Sequence, residues 1–231
     1  MNVQEEFSKH ANEYKNYNII QQIIAKALVR DITNKPKRIL ELGCGSGQIF
    51  NYINWNVDYY KAIDFSSKMC ELHPKADFID IQCMSFDSKE FEESISEEFF
   101  DLVISASALQ WSNNLPKLLK TLKKSTNEIN AVLFTSNTFK SIQNITKQKS
   151  PILDIDTIKD SFLQEYDCEF EIYNYDLKFD NKKDMFDYIK HSGVSGSSNS
   201  LSFKDAKRLY TEYNLDYLEF EVIFVKAFSK S

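Results

Sequence analysis

The stretch that decides the fold is Ile39-Leu40-Glu41-Leu42-Gly43-Cys44-Gly45-Ser46-Gly47. Only five glycines occur in the 231 residues, and three of them stand here at alternate positions, directly after a short apolar segment. Glycine tolerates positive φ and lets the backbone approach a ligand closely. The stretch therefore predicts a strand, a tight turn around a nucleotide-like ligand, and a helix that opens at Ser46, a residue suited to N-capping.

Short apolar segments and amphipathic segments alternate on both sides of this turn as far as residue 136. The predicted strands cover 37–42, 58–63, 76–82, 99–105 and 130–136, and the predicted helices cover 46–55, 66–73, 88–98 and 113–124. The helix at 66–73 begins with Ser66 as a second candidate N-cap. Strict alternation of strands and helices is typical of a doubly wound parallel sheet.

The pattern changes after residue 136. Helices are predicted at 138–148, 156–166, 182–191 and 202–213, with long strands at 168–179 and 216–228. The predicted fold class is therefore α/β, a doubly wound, Rossmann-like, seven-stranded and mostly parallel sheet with an antiparallel C-terminal strand. We expect one domain over residues 1–231, with a helical cap built from about 1–32, 138–166 and 182–214.

Composition excludes several classes of function. A net charge of −6 argues against nonspecific nucleic-acid binding, and the longest apolar runs, such as Ala131–Phe134, are too short to span a bilayer. The four cysteines and three histidines lack the spacing of a metal site, and the first ten residues do not look like a targeting peptide. We therefore expect a cytoplasmic monomer without metal, nucleic-acid or membrane binding.

Acidic residues flank the glycine turn. Glu41 lies two residues before the first glycine, and Asp64 ends the second predicted strand, where a carboxylate can accept hydrogen bonds from both ribose hydroxyls. Gln48 occupies the position where a dinucleotide-binding turn carries its third glycine, which disfavours a nicotinamide-dependent oxidoreductase.

These motifs resemble the first two motifs of class I S-adenosylmethionine-dependent methyltransferases. The resemblance implies that Glu41 holds the amino-acid end of the cofactor and that Asp64 holds the ribose. Phe65 and Met69 fall on the adenine side, although Met69 is equally suited to core packing. Asp80 and Ile81 are then candidates to contact the adenine amine and ring, while Asp80 is also explained as a residue that closes a strand.

The segment Ser105–Trp111 lacks the Asn/Asp-Pro-Pro-Tyr/Phe motif of base-methylating enzymes. It resembles the S-x-x-A/L-x-Q-W string of the malonyl-[acyl-carrier-protein] O-methyltransferases of biotin synthesis, and Phe7-x-x-x-Ala11-x-x-Tyr14, followed by Gln21, resembles their N-terminal signature. This resemblance implies that Tyr14, Gln110 and Trp111 line the methyl-transfer cleft as catalytic residues. Trp111 is alternatively a core anchor for the helix at 113–124. The predicted cofactor-binding residues are Gln21, Glu41, Gly43, Cys44, Gly45, Gly47, Asp64, Phe65, Met69, Asp80, Ile81 and Ser105.

Methyl transfer from a sulfonium to a carboxylate needs no general base, because a carboxyl group with a pKa of about 4 is already ionised. The resemblance therefore implies transfer of a methyl group from S-adenosylmethionine to the carboxylate of a malonyl thioester, carried by acyl carrier protein or coenzyme A, with S-adenosylhomocysteine as product. The methyl ester would prime pimeloyl synthesis for biotin. Two lysine-rich faces, 117–124 and 204–208, are either docking sites for an acidic carrier or solvated helix faces. The alternatives are methylation of another small carboxylic acid, such as an aconitate-like acid, and an inactive cofactor-binding subunit.

Overall fold

A computed structural model of the chain describes residues 18–191 and 203–230. Tyr14 and the loop 192–202 lie outside these residues. The helices are α1 (Ile19–Arg30), α2 (Gln48–Tyr52), α3 (Ser67–Leu72), α4 (Lys89–Ser94), α5 (Leu115–Leu122), α6 (Lys140–Thr146), α7 (Ile155–Leu163), α8 (Lys182–His191) and α9 (Phe203–Glu212). The strands are β1 (Arg38–Leu42), β2 (Tyr59–Asp64), β3 (Ile79–Cys83), β4 (Leu102–Ala106), β5 (Glu128–Phe134), β6 (Tyr166–Lys178) and β7 (Tyr217–Ser229).

The strands form one seven-stranded sheet in the order β3-β2-β1-β4-β5-β7-β6. The first five strands are parallel, β7 is antiparallel to β5, and β6 is antiparallel to β7. The predicted doubly wound α/β fold with its antiparallel C-terminal strand is therefore confirmed. The order of the strands reverses between β1 and β4, and in open sheets of this type the crevice at such a point receives the ligand.

The central strands are apolar on both faces because helices cover both sides of the sheet. Ile39 and Leu40 are adjacent in β1 and fully buried, yet they belong to the two different hydrophobic clusters on opposite faces. Side chains alternate in this way along a strand, so a continuous apolar run is what a doubly covered strand requires. In the part of the chain that the structure describes, no helix has the length and apolarity needed to cross a membrane.

Side-chain caps fix several helix starts. The Ser66 hydroxyl accepts from Met69 N at 3.4 Å, which confirms the predicted cap of α3. The predicted cap at Ser46 is wrong, because Gly47 occupies the N-cap of α2 with φ +84°. The turn remains left-handed through Gly47, so no helix begins before Gln48, and the predicted helix over 46–55 shortens to five residues.

Candidate functional site

An open cleft of about 740 Å³ lies at the carboxyl ends of β1, β2 and β4. The glycine turn forms its floor, and α1 contributes Gln21 and Ala25 to its side. Its lining consists of Gln21, Ala25, Glu41, Gly43, Cys44, Gly45, Ser46, Gln48, Ile49, Asp64, Phe65, Met69, Phe86, Ala106, Ser107, Ala108 and Trp111. The structure thus brings together most of the residues that the sequence singles out.

The glycine turn requires the absence of side chains at two of its positions. Gly43 has φ +74°, and a Cβ placed there would overlap the Cβ of Ala108. Gly47 has φ +84°, and a Cβ there would overlap Pro74. Gly45 also has positive φ, at +51°, but a Cβ there would meet no atom within 4 Å. Gly43 and Gly47 are therefore set by packing, whereas Gly45 lines open space in the cleft.

Asp64 is held rigidly beside this turn. Its Oδ2 accepts from Gly45 N at 2.9 Å and its Oδ1 accepts from Ser66 N at 2.8 Å. Burial raises the pKa of this carboxyl, while the backbone hydrogen bonds from Ser66 and Gly45 oppose that rise. Each carboxylate oxygen keeps a second lone pair, so Asp64 is able to accept two further hydrogen bonds from a ligand that carries two hydroxyls.

Glu41 lies on the other side of the turn and is only 1% exposed. The Tyr60 hydroxyl donates to its Oε2 at 2.5 Å. Burial raises the pKa of Glu41 to about 8, the Tyr60 hydrogen bond partly offsets this, and the nearby Asp64 charge raises it further. At neutral pH the carboxyl is therefore protonated in the free protein, and a cationic group bound beside it would favour its ionisation.

Apolar side chains from three strand ends complete the walls of the cleft. Phe65 and Met69 follow β2, Phe86 follows β3, and Trp111 lies in a single 3₁₀ turn after β4. Trp111 also packs against the hydrophobic cluster that includes α1. The buried leucines of α5 belong to the other cluster, so this contact does not support the alternative of a core anchor for the helix at 113–124.

Five of the predicted site residues that the structure describes do not line the cleft. Gly47 is one of them, because it packs against Pro74. Asp80 does not stand at the strand end, because β3 continues past it as far as Cys83. Its side chain instead accepts from Gln82 Nε2 at 2.7 Å and from Tyr59 Oη at 3.2 Å. Ile81 is two residues short of the same strand end and packs against the core.

The other two are Ser105 and Gln110, both buried. Ser105 Oγ donates to Leu42 O at 2.7 Å, and Gln110 Nε2 donates to Ser107 O at 2.8 Å. These side chains support the walls of the cleft from behind, and direct contact with a ligand remains a prediction for them. Tyr14 lies outside the described residues.

The sequence motifs do not predict several of the residues that line the cleft. Ala25 is four residues after Gln21, so helical spacing places both on one face of α1. Ala108 is small because it faces Gly43. Phe86 and Ser107 are set by loops after β3 and β4, whose course has no sequence signal. Among residues 18–191 and 203–230, no group of three or more His, Cys, Asp or Glu side chains is arranged to hold a metal ion.

Comparison with known proteins gives consistent matches. A methyltransferase domain family matches residues 40–128. The malonyl-[acyl-carrier protein] O-methyltransferase of Priestia megaterium is 30% identical over 139 residues, which cover 56% of this chain and 49% of the relative. The protein of the same name from Acinetobacter baylyi is 24% identical over 194 residues, covering 80% of this chain and 73% of the relative. The chain thus spans about half the length of the first relative and about three quarters of the second.

Solved structures share the fold. The YcgJ protein of Bacillus subtilis superposes with a TM-score of 0.65 at 11% identity, covering 92% of this chain and 99% of that one. The plantazolicin methyltransferase BpumL, solved in complex with SAH, superposes with a TM-score of 0.56 at 14% identity, covering 99% and 95%. The matched domain, the relatives and the fold together confirm that this chain resembles class I S-adenosylmethionine-dependent methyltransferases, and among them the malonyl-[acyl-carrier protein] O-methyltransferases.

Proposed function

We propose that this chain binds S-adenosylmethionine in the cleft and transfers its methyl group to the carboxylate of a malonyl thioester. The observation that carries the cofactor half of the proposal is the pair of buried carboxyl groups, Glu41 and Asp64, on either side of the glycine turn. Such a pair suits a ligand that offers two hydroxyls to Asp64 and one cation to Glu41. The ribose and the methionine ammonium of S-adenosylmethionine supply these groups.

The residues fit this ligand in a defined order along the sheet. Asp64 at the end of β2 would accept from the ribose hydroxyls with the lone pairs that Gly45 and Ser66 leave unused. Phe65, with Phe86 beyond it, offers an apolar surface for the adenine. Glu41 would then face the ammonium, whose charge would lower the pKa of its carboxyl and release a proton.

The acceptor half of the proposal rests on the relatives named for a malonyl-carrier substrate. Bound S-adenosylmethionine would supply an activated methyl group, so the protein's task is to align the acceptor carboxylate and to exclude water. Trp111 and the α1 residues Gln21 and Ala25 enclose the cleft at the β4 side, where they would limit access of water. An ionised acceptor needs no base there.

A carrier protein would need a basic docking surface, and the two lysine-rich faces differ in this respect. On the 117–124 face, Lys117 of α5 pairs with Glu92 at 2.5 Å, and Lys123, the residue after α5, pairs with Glu165 at 3.5 Å. Two of the four lysines on that face are therefore already neutralised. On α9, Lys204 and Lys207 are exposed. We propose α9 as the docking surface for an acidic carrier, since two of the lysines on the other face are already paired.

In the decisive experiment the protein is incubated with S-adenosylmethionine and malonyl-carrier protein, and the intact mass of the carrier is then measured. One added methyl group that an esterase removes supports the proposal. If free dicarboxylic acids are methylated and the malonyl carrier is not, the acceptor is a small acid and not a carrier-bound thioester. Binding of S-adenosylhomocysteine with no product from any acid would identify an inactive cofactor-binding subunit.

A further inference from the structure

We propose that Ser107 binds the acceptor, by donating a hydrogen bond from its hydroxyl to an oxygen of the carboxylate that is methylated. This inference rests on the proposed function and adds a residue to it. Ser107 lies in the turn that follows β4 and lines the cleft. No sequence motif singles out this position.

The first observation is the backbone of Ser107. Its φ is +62°, a left-handed conformation that residues other than glycine rarely adopt. The turn is held there from both sides, because Ser107 N donates to Val132 O at 2.8 Å and Ser107 O accepts from Gln110 Nε2 at 2.8 Å. A strained residue held in place by its surroundings is a recurrent feature of ligand sites.

The second observation is the Ser107 hydroxyl. Its Oγ is buried and has no hydrogen-bond partner among the residues that the structure describes. Buried polar atoms in proteins are nearly always paired. The unpaired hydroxyl of a residue that lines a cleft is therefore a candidate to bind a ligand. Glycine at this position would remove the strain, and alanine would remove the unpaired hydroxyl. Serine therefore destabilises the ligand-free protein relative to glycine through its backbone strain and relative to alanine through its unpaired hydroxyl.

The order of the strands assigns the partner. β1 lies between β2 and β4, so the cleft runs from Asp64, across the glycine turn, to Ser107. The sulfonium of S-adenosylmethionine lies between its ribose and its amino-acid chain. A cofactor with its ribose at Asp64 and its ammonium at Glu41 would therefore hold the sulfonium at the glycine turn and leave the β4 side of the cleft for the acceptor. Ser107, which lines the cleft on that side together with Trp111, would therefore face the acceptor. A serine hydroxyl is a hydrogen-bond donor, and a carboxylate is an acceptor only, so the pairing is chemically matched.

The test compares the wild type with Ser107→Ala and Ser107→Gly. Both variants lack the hydroxyl, but only the glycine variant relieves the backbone strain. We expect kcat/KM for the malonyl thioester to fall about 10- to 100-fold in both, which is the loss of one hydrogen bond to a charged group. The Kd of S-adenosylhomocysteine should remain unchanged by isothermal titration calorimetry.

An acetyl thioester on the same carrier provides the matched control, because it lacks only the carboxylate. Its inhibition constant should be equal in the wild type and both variants. A weakened Kd of S-adenosylhomocysteine would overturn the proposal and assign the hydroxyl to the carboxylate of the cofactor. Unchanged kcat/KM, or an equal loss of acetyl-thioester binding, would also overturn it. A wild type that methylates no carboxylic acid would refute the proposed function itself, whereas an active wild type with active variants refutes only the role of Ser107.

Discussion

Replacing Glu41 by glutamine should stabilise the free protein while it weakens cofactor binding. The carboxyl is fully buried, and its pKa is raised from 4.5 to about 8. The folded protein therefore binds this proton more tightly than the unfolded chain does. The stability that comes from tighter proton binding at Glu41 is fully present below pH 4.5 and is lost progressively as pH rises through 8. Glutamine keeps the shape of the side chain, and its carbonyl oxygen can still accept from Tyr60.

The magnitude follows from about 1.4 kcal/mol for each pKa unit. At pH 7 the wild type should be destabilised by about 3 kcal/mol relative to a side chain that does not ionise, and above pH 8 by about 5 kcal/mol. A gain of that size in the variant corresponds to roughly 6–12 °C in Tm for a chain of this length. If the new amide group lacks an acceptor, the gain is smaller by about 1–3 kcal/mol, but its dependence on pH does not change.

The assay is urea denaturation of the wild type and Glu41→Gln at pH 5, 6, 7 and 8. The difference in free energy of unfolding should grow by about 1.4 kcal/mol per pH unit between pH 5 and 7 and should begin to level off near pH 8. Glu93→Gln is a matched control, since Glu93 is exposed and pairs with Lys89 on the surface, and it should change stability by less than about 0.5 kcal/mol. A difference between wild type and Glu41→Gln that stays constant over this range would refute a raised pKa for Glu41.

Four further predictions follow from the site. Asp64→Ala should weaken S-adenosylhomocysteine binding at least about 10-fold in calorimetry, since two ligand hydroxyls lose their acceptor; unchanged affinity would move the ribose elsewhere. Gly43→Ala should lower Tm far more than Gly45→Ala, because only the former creates an overlap with Ala108; equal losses would contradict the packing argument. Lys204→Glu combined with Lys207→Glu should raise KM for the carrier-bound acceptor at least several-fold and leave KM for the coenzyme A thioester unchanged, and an equal effect on both would exclude α9 as the docking surface. Trp111→Ala should reduce kcat more than the Kd of S-adenosylhomocysteine, and a loss confined to that Kd would place the indole against the cofactor.

The sheet was predictable because its signals are local. Strands with apolar residues on both faces, the cap at Ser66 and the glycine turn are all visible within a few residues, and the alternation of elements leaves few topologies open. The boundary of α2 was not predictable in this way. Three left-handed glycines delay the helix until Gln48, and this depends on the packing of Gly43 and Gly47 against distant residues.

The part of the cleft near β1 and β2 was also largely predictable, since Glu41, Asp64 and Phe65 lie next to a recognisable turn and line the cleft. The side near β4 was not. Gln110 and Trp111 stand in one motif, yet only Trp111 lines the cleft, because the turn after Ala106 directs the amide of Gln110 back to the Ser107 carbonyl. The direction of a side chain in an irregular turn depends on its dihedral angles, and these have no periodic signature.

The contact between Gly43 and Ala108 has a consequence for how donor and acceptor are aligned. With no room for even one methyl group between them, the turn that would hold the methyl donor and the loop that would face the acceptor are in direct contact. An in-line displacement depends on the distance and angle between its two reactants. In this protein the spacing between donor and acceptor would be set by the close approach of two small residues, and this contact forms when the sheet folds.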